Sequence, residues 1–566
     1  MLKRVLAAGA ALILSGGVAA AQEQGAKPAA HAPKAMASSG HPLVTQAMLD
    51  VLKRGGNAMD AALTGAIMQS VVEPQMVTLA GALSALYYDA KTGQYHYLDA
   101  ELDHTAKGAP TVAGWAQVTG GGPPVEVTSG SLVAVPGEVA GLKAAADRFG
   151  TLKWSQYWEP SIRLAENGFP MYSFLYGEMA DAALSRLSAY PSGREEFLPN
   201  GYVPPVGSKV TRPRLAATMR RLASDGPDYF YTGEWGRKFV TEVQKTGGAL
   251  TLEDMAGYKV RWEQPLKSSF KGHEIISSPP PGTAGSLIAM VLNIAEPWDF
   301  KAMGHYTQSA ETLYRLRQAF AFAEDLTDGY IQDPASFNVP SDILLSKSFA
   351  SQLTGLIDGA MPKASVTGKL AHAGGFSLAG GFDHSDPHAS DTDHIVVADK
   401  DGNVVSLTHS VKGTTFATGL VVDGVVVNSG NYFPGKNLGE GRRVVGGFPP
   451  TMVAKGGAPT LALGSPGLTS RAVALTLINY IGYGMPLEQA VDAPRFQGAQ
   501  ASRPLTIEGR LSEQARADMK AHYGVSVKVT TPYNWHFGSI HAVAREPDGS
   551  LIGIADPRRG GLAAGY

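Results

Sequence analysis

The chain has 566 residues, 44% of them hydrophobic, enough to bury a large core and, by length alone, to form roughly two to four domains. A formal charge of −2 and a pI near 6.7 exclude the electrostatic footprint that nucleic acid or an anionic membrane surface requires, leaving small neutral or mixed-charge molecules as the better-matched partners. With no cysteine, disulfides, thiolate metal sites and a cysteine nucleophile are excluded as well.

Residues 1–21 read as a secretory signal: Lys3 and Arg4, an apolar run from Val5 broken at Ser15-Gly16-Gly17, then Ala19-Ala20-Ala21. That run is too short and too interrupted to span a bilayer, so export to the periplasm or medium is expected. Residues 22–39, rich in Ala, Pro, Gln and Lys without periodicity, read as a disordered leader. The spacing Leu43, Ala47, Met48, Val51, Leu52 predicts a helix stopped by Gly55-Gly56. Asn57 should cap a second helix reaching Val72, apolar nearly all round and therefore buried, ended by Glu73-Pro74. Strands are expected at 82–88 and 95–98, a Gly-Pro loop at 120–124, mostly helices from 138 to about 270, and an amphipathic helix at 311–325. Residues 360–391 are Gly-, Ser-, His- and Asp-rich, the composition of an exposed loop that can be cut.

A β-rich run then starts at Thr392, turns at Asp399-Lys400-Asp401-Gly402-Asn403 and returns as 404–410. A turn centred on Asp401 puts Thr392 opposite Ser410, so that two hydroxyls meet at the head of a hairpin. A threonine hydroxyl needs a base to act as a nucleophile, and cleavage of the peptide bond before it supplies one, because the freed α-amine titrates near pH ~7.7–8.0. The plainer reading, a β-branched residue opening a strand, fits the spacing equally well. Further strands are expected at 420–427, 451–454 and 460–463, and a helix from Ser470 to Tyr483. The Gly464-Ser465-Pro466-Gly467 turn between them exposes backbone N–H groups of the kind that hold an oxyanion.

The segment T-D-H-I-V-V-A-D-K-D-G-N-V-V-S-L from Thr392 resembles the start of the small subunit of the γ-glutamyltransferase family, where T-T-H-x-x-V-V-D-x-D-G-N-A-V-S-L is usual. Collinear landmarks include V-V-E-P-Q (71–75), V-P-G-E-V-A-G-L (135–142), S-P-P-P-G-T-A-G (278–285), L-G-S-P-G (463–467) and A-D-P-R-R-G-G (555–561), spanning nearly the whole chain after the signal. The resemblance implies an α+β, four-layer αββα sandwich of the N-terminal-nucleophile hydrolases. It implies self-cleavage between Asp391 and Thr392 into a large subunit, 40–391, and a small catalytic one, 392–566, that stay together as a heterodimer. Thr392 becomes the nucleophile, Ser410 its orienting hydroxyl, and Gly467 with the N–H of Leu468 the oxyanion hole, with no cofactor and no metal.

The substrate positions depart from the family pattern. Glu101 stands where an Arg grips the α-carboxylate of the glutamyl group, Asn431 lies where an Asp receives its α-amine, and Gly446-Gly447 replace a Ser pair. Lys412 is the residue able to stand in for the missing Arg. The implied activity is an amidohydrolase or acyltransferase acting on a small or peptide-like amide through a threonine acyl-enzyme, with acyl specificity altered from γ-glutamyl; an ordinary glutathione hydrolase is the alternative. Two other classes remain open: a metal-dependent hydrolase using Asp383, His384, Asp386, His388, Asp391, Asp393 and His394, and a non-enzymatic relic serving as a scaffold.

Overall fold

The computed structural model describes residues 25–106, 130–361, 392–432, 443–467, 469–498 and 505–566. The signal-like segment 1–21, the exposed loop before Thr392, the Gly-Pro loop at 120–124 and residues 433–442 lie outside them.

Two seven-stranded sheets form the centre. The first runs, edge to edge, Leu562–Gly565, Met36–Ser39, Asp393–Ala398, Val404–Ser410, Ala82–Asp89, Gln94–Ala100 and Arg261–Glu263. The second runs Ala30–Ala32, Leu551–Ala555, His541–Arg545, Ala458–Gly464, Thr451–Lys455, His273–Ser277 and Leu266–Phe270. Because side chains alternate along a strand, each sheet has two apolar faces to cover. Met36, Leu86, Val396 and Val404 of the first sheet pack against Ile276, Met452, Ala462 and Val543 of the second. The opposite face of the first sheet, with Ile395, Val397, Val405 and Leu407, packs on helices Pro42–Lys53 and Ala58–Val72. The outer face of the second, with Ile275, Val453, Leu461 and Leu463, packs on Thr283–Ala295, Ala310–Tyr330 and Thr469–Leu477. The result is the expected αββα sandwich.

Helix Ala58–Val72 is buried along its whole length and opens with a capping box in which Asn57 and Asp60 exchange hydrogen bonds. Helix Thr469–Leu477 continues as a π-helical turn, Ile478–Gly482. Two expectations need correction. The supposed disordered leader holds two strands from Ala30 onward: Ala30–Ala32 pairs with Leu551–Ala555, and Met36–Ser39 lies between Asp393–Ala398 and Leu562–Gly565. Small residues such as Ala and Ser carry no alternation signal, yet they fit where two sheets and a helix crowd together. The single strand expected at 420–427 is instead a tight hairpin, Val421–Val422 against Val425–Val426. Asp423 and Gly424 both take positive φ, 46° and 82°, which is the turn an Asp-Gly pair favours between two strands.

Candidate active site

The hairpin pairs in the predicted register, Asp393 with His409 through Ala398 with Val404. One step beyond its last pair, the Thr392 hydroxyl donates to Ser410 Oγ at 3.3 Å. Ser410 Oγ also accepts the N–H of Lys412 at 2.8 Å, so it is held as an acceptor facing Thr392. The backbone behind it is closely packed: a Cβ on Gly81 would lie 2.1 Å from the Ser410 carbonyl oxygen, which keeps residue 81 a glycine. Alternation then sorts the neighbours. His394 points between the sheets, where it bonds Thr408 Oγ1 at 2.8 Å and Ser406 Oγ at 3.1 Å. Burial holds it neutral, far below the usual histidine range.

Asp393 and His409 point the other way, toward the helices. Arg559 Nη1 donates to Asp393 Oδ1 and to the carbonyl of Thr392, both at 3.0 Å, and its guanidinium lies 5.2 Å from the ring of Phe174 and 5.3 Å from that of Trp535. Glu73, at the end of helix Ala58–Val72, hydrogen-bonds Asp393. Burial raises both carboxyls above their usual range; Glu73 raises Asp393 further, while the hydrogen bond with Asp393 lowers Glu73. Sequence reasoning gave Glu73 and Arg559 no part in the site and Asp393 only a place in the alternative metal cluster, although V-V-E-P-Q and A-D-P-R-R-G-G both contain members of the set.

The substrate-side positions form one unit. Lys412 Nζ lies 2.6 Å from Glu101 Oε2 and 3.8 Å from the centre of the Phe448 ring, while Glu101 Oε1 accepts the N–H of Leu102 at 3.0 Å. Burial raises the Glu101 carboxyl, and the ammonium opposes that rise. A Cβ on Gly446 would sit 2.1 Å from Glu101 Oε2 and 2.7 Å from Lys412 Nζ, whereas one on Gly447 would meet only ordinary contacts, at 3.5 Å or more. Glu101, Lys412 and Gly446 therefore depend on one another. The recess beside them is about 10 Å³, room for a water and no more. Asn431 is directed elsewhere, its Oδ1 at 2.9 Å from His104 Nδ1 and its Nδ2 donating to the Ser131 carbonyl.

At the expected oxyanion turn, Gly467 has φ +75°, and a Cβ there would lie 2.7 Å from Gly538 Cα. Its carbonyl accepts the N–H of Thr469. Leu468 and Asp391 lie outside the described residues, as do five members of the supposed metal cluster, Asp383, His384, Asp386, His388 and Asp391. The remaining two, Asp393 and His394, face opposite sides of one strand and bind the partners given above, so they do not converge on an ion.

A sequence model of the gamma-glutamyltranspeptidase family matches residues 44–566. The chain is 30% identical to the glutathione hydrolase proenzyme of Escherichia coli (strain K12), over 94% of this chain and 92% of that protein. It is also 30% identical to the acylase ACY 1 proenzyme of Pseudomonas sp. (strain SE83), over 94% and 93%. Among solved structures, cephalosporin acylase from Bacillus halodurans has the same fold, with a TM-score of 0.80 at 24% identity over 96% of this chain and 98% of that one. Helicobacter pylori gamma-glutamyltranspeptidase aligns with a TM-score of 0.53 at 28% identity, over 61% of this chain and 97% of the other.

Proposed function

The chain belongs to the γ-glutamyltranspeptidase family, whose members are N-terminal-nucleophile hydrolases and transferases, and on that premise we propose that Thr392 is the nucleophile of a self-processing amidohydrolase whose acyl group is not γ-glutamyl. In the precursor, Thr392 Oγ attacks the Asp391 carbonyl, the acyl group passes from nitrogen to oxygen, and water opens the ester to free the threonine amine. In the mature enzyme that amine takes the hydroxyl proton as Oγ attacks the substrate amide, then delivers it to the leaving amine. Ser410 orients the hydroxyl, and N–H groups of the turn at Gly467 stabilise the oxyanion. Water or an amine resolves the acyl-enzyme. Residues 25–391 and 392–566 contribute strands to both sheets, so the two subunits stay associated after the cut.

The observation that carries the altered specificity is the Glu101–Lys412 ion pair, closed at 2.6 Å where a zwitterionic glutamyl group would otherwise be gripped. Each carboxylate or ammonium a substrate brings would have to compete with a partner already in place. Losing one member of a desolvated charge pair lowers specificity by ~2–5 kcal/mol. A neutral or apolar acyl group avoids that loss, and one of the 30% identical relatives is named an acylase rather than a glutathione hydrolase. The experiment is kcat/KM for a γ-glutamyl anilide beside a simple acyl anilide lacking the α-amine and α-carboxylate. Preference for the simple acyl compound is expected; clear preference for the γ-glutamyl compound overturns the reading. Export, read from residues 1–21, belongs to the same proposal, and cell fractionation tests it.

A further inference from the structure

Behind the nucleophile lies a line of buried side chains that the chemistry above does not use. A Cβ built on Gly40 would be 3.0 Å from Asp393 Oδ1 and 3.0 and 3.1 Å from the two oxygens of Glu73, so two carboxyl groups converge on one point. The only N–H or O–H among the described residues that reaches the Asp393 carboxyl, apart from Glu73, is Arg559 Nη1, and Asp393 Oδ2 receives none. Two ionised carboxylates in contact, fully buried, with one guanidinium between them would leave a net negative charge and a bare acceptor, an arrangement that proteins avoid by retaining a proton. One proton and one Arg make the set neutral.

The line continues. Gln69 Nε2 donates to Glu73 Oε2 at 3.0 Å, and Gln69 Oε1 accepts from His409 Nε2 at 2.8 Å. Since Oε1 can only accept, His409 carries its proton on Nε2, and Nδ1 shares another with Glu138 Oε1 at 3.0 Å. The other titratable groups around the pair come from separate elements. His41 and His541 are held neutral by burial, with pKa values lowered to about 3. Burial keeps the Tyr172 phenol protonated. Glu178, raised by burial, faces Arg559 and hydrogen-bonds Thr415. Besides Arg559, only His409 among the described residues adds positive charge near Glu73, across Gln69, and there it faces the Glu138 carboxyl.

We propose that Glu73 and Asp393 hold a single proton between them and, through the Arg559 contact to the Thr392 carbonyl, position the nucleophile, so that activity falls when the pair gives that proton up. The assignment rests on the reading of Thr392 as nucleophile. The pair titrates as a unit, so the proton belongs to neither residue alone. Both are positioning residues: they act on Thr392 through Arg559 and the strand, without touching substrate.

The test is the kcat/KM profile of the processed enzyme on a neutral acyl anilide from about pH 5 to about pH 10, for wild type, Glu73→Gln, Asp393→Asn and the double variant. Each single amide keeps one negative charge against Arg559 and has no shared proton to lose. Each should lose about tenfold or less at neutral pH and lack the alkaline decline expected of wild type, whereas the double variant strands Arg559 and should lose about a hundredfold or more. Singles that retain the wild-type decline, or that fall as far as the double, overturn the proposal. Thr392→Ala decides the nucleophile separately: activity surviving in it removes that assignment whatever the carboxyl variants do. A readout independent of activity is melting temperature against pH in the unprocessed Thr392→Ala protein. A pair whose proton is held more tightly folded than unfolded makes stability fall as pH rises from the ordinary carboxylate range to the pair's own higher value, and Glu73→Gln should flatten that slope. A slope unchanged by Glu73→Gln counts against the shared proton.

Discussion

Gly446 and Gly447 are neighbours with unlike constraints. A side chain at 446 collides with both members of the Glu101–Lys412 pair, while one at 447 has room. Gly446→Ser should therefore destabilise by about 1–3 kcal/mol, as overpacking of a filled site does, and should loosen the ion pair. Gly447→Ser should change the melting temperature little. Equal destabilisation by both would mean that the ion pair does not fill the space beside Gly446. On the nucleophile side, Ser410→Ala removes the acceptor facing the Thr392 hydroxyl and leaves the Lys412 N–H without that partner. The loss, about 1 kcal/mol or somewhat more, should appear as slower processing and slower turnover in a protein that still folds. Wild-type rates for both steps would show that the 3.3 Å contact plays no part in the chemistry.

The hairpin from Asp393 to Ser410 was legible from sequence because two short apolar runs and an Asp-Gly-Asn turn allow one register, and that register decides which hydroxyl meets Thr392. The Glu73–Asp393–Arg559 set was not legible. Asp393 is 166 residues from Arg559, and Glu73 is farther still from both, so only the sandwich brings the end of a helix, the start of a strand and a C-terminal turn together. The Asp423-Gly424 hairpin could have been read, since that dipeptide between valine pairs is a turn signal; the longer apolar run hid it. The segment from Ala30 to Ser39 hid for the opposite reason, having Met36 as its one large apolar residue, yet it contributes a strand to each sheet. A chain beginning at Gly40 should consequently fail to fold or lose a large part of its thermal stability, measured by melting of the truncated and full proteins. A truncated protein melting with the full one would restore the idea of a dispensable leader.

Across the whole molecule, the strands of the two segments interleave. Met36–Ser39 sits between two strands from beyond Thr392, and Ala82–Asp89 pairs directly with Val404–Ser410. Among the described residues, a break just before Thr392 severs no strand and removes no sheet partner, since the strand begins at Asp393, which is why the sandwich can accept a cut at its catalytic centre. The same architecture places Thr392 at one end of the inter-sheet core, with Ser410 beside it on the first sheet and the Gly467 turn leaving the second. Intact mass spectrometry of the denatured, purified protein tests the central claim most directly. Two chains are expected, the smaller running from Thr392 to Tyr566 with a free threonine amine, and the Thr392→Ala protein should give one uncut, inactive chain. A fully active wild-type protein that remains a single chain through Asp391 and Thr392 would contradict the account.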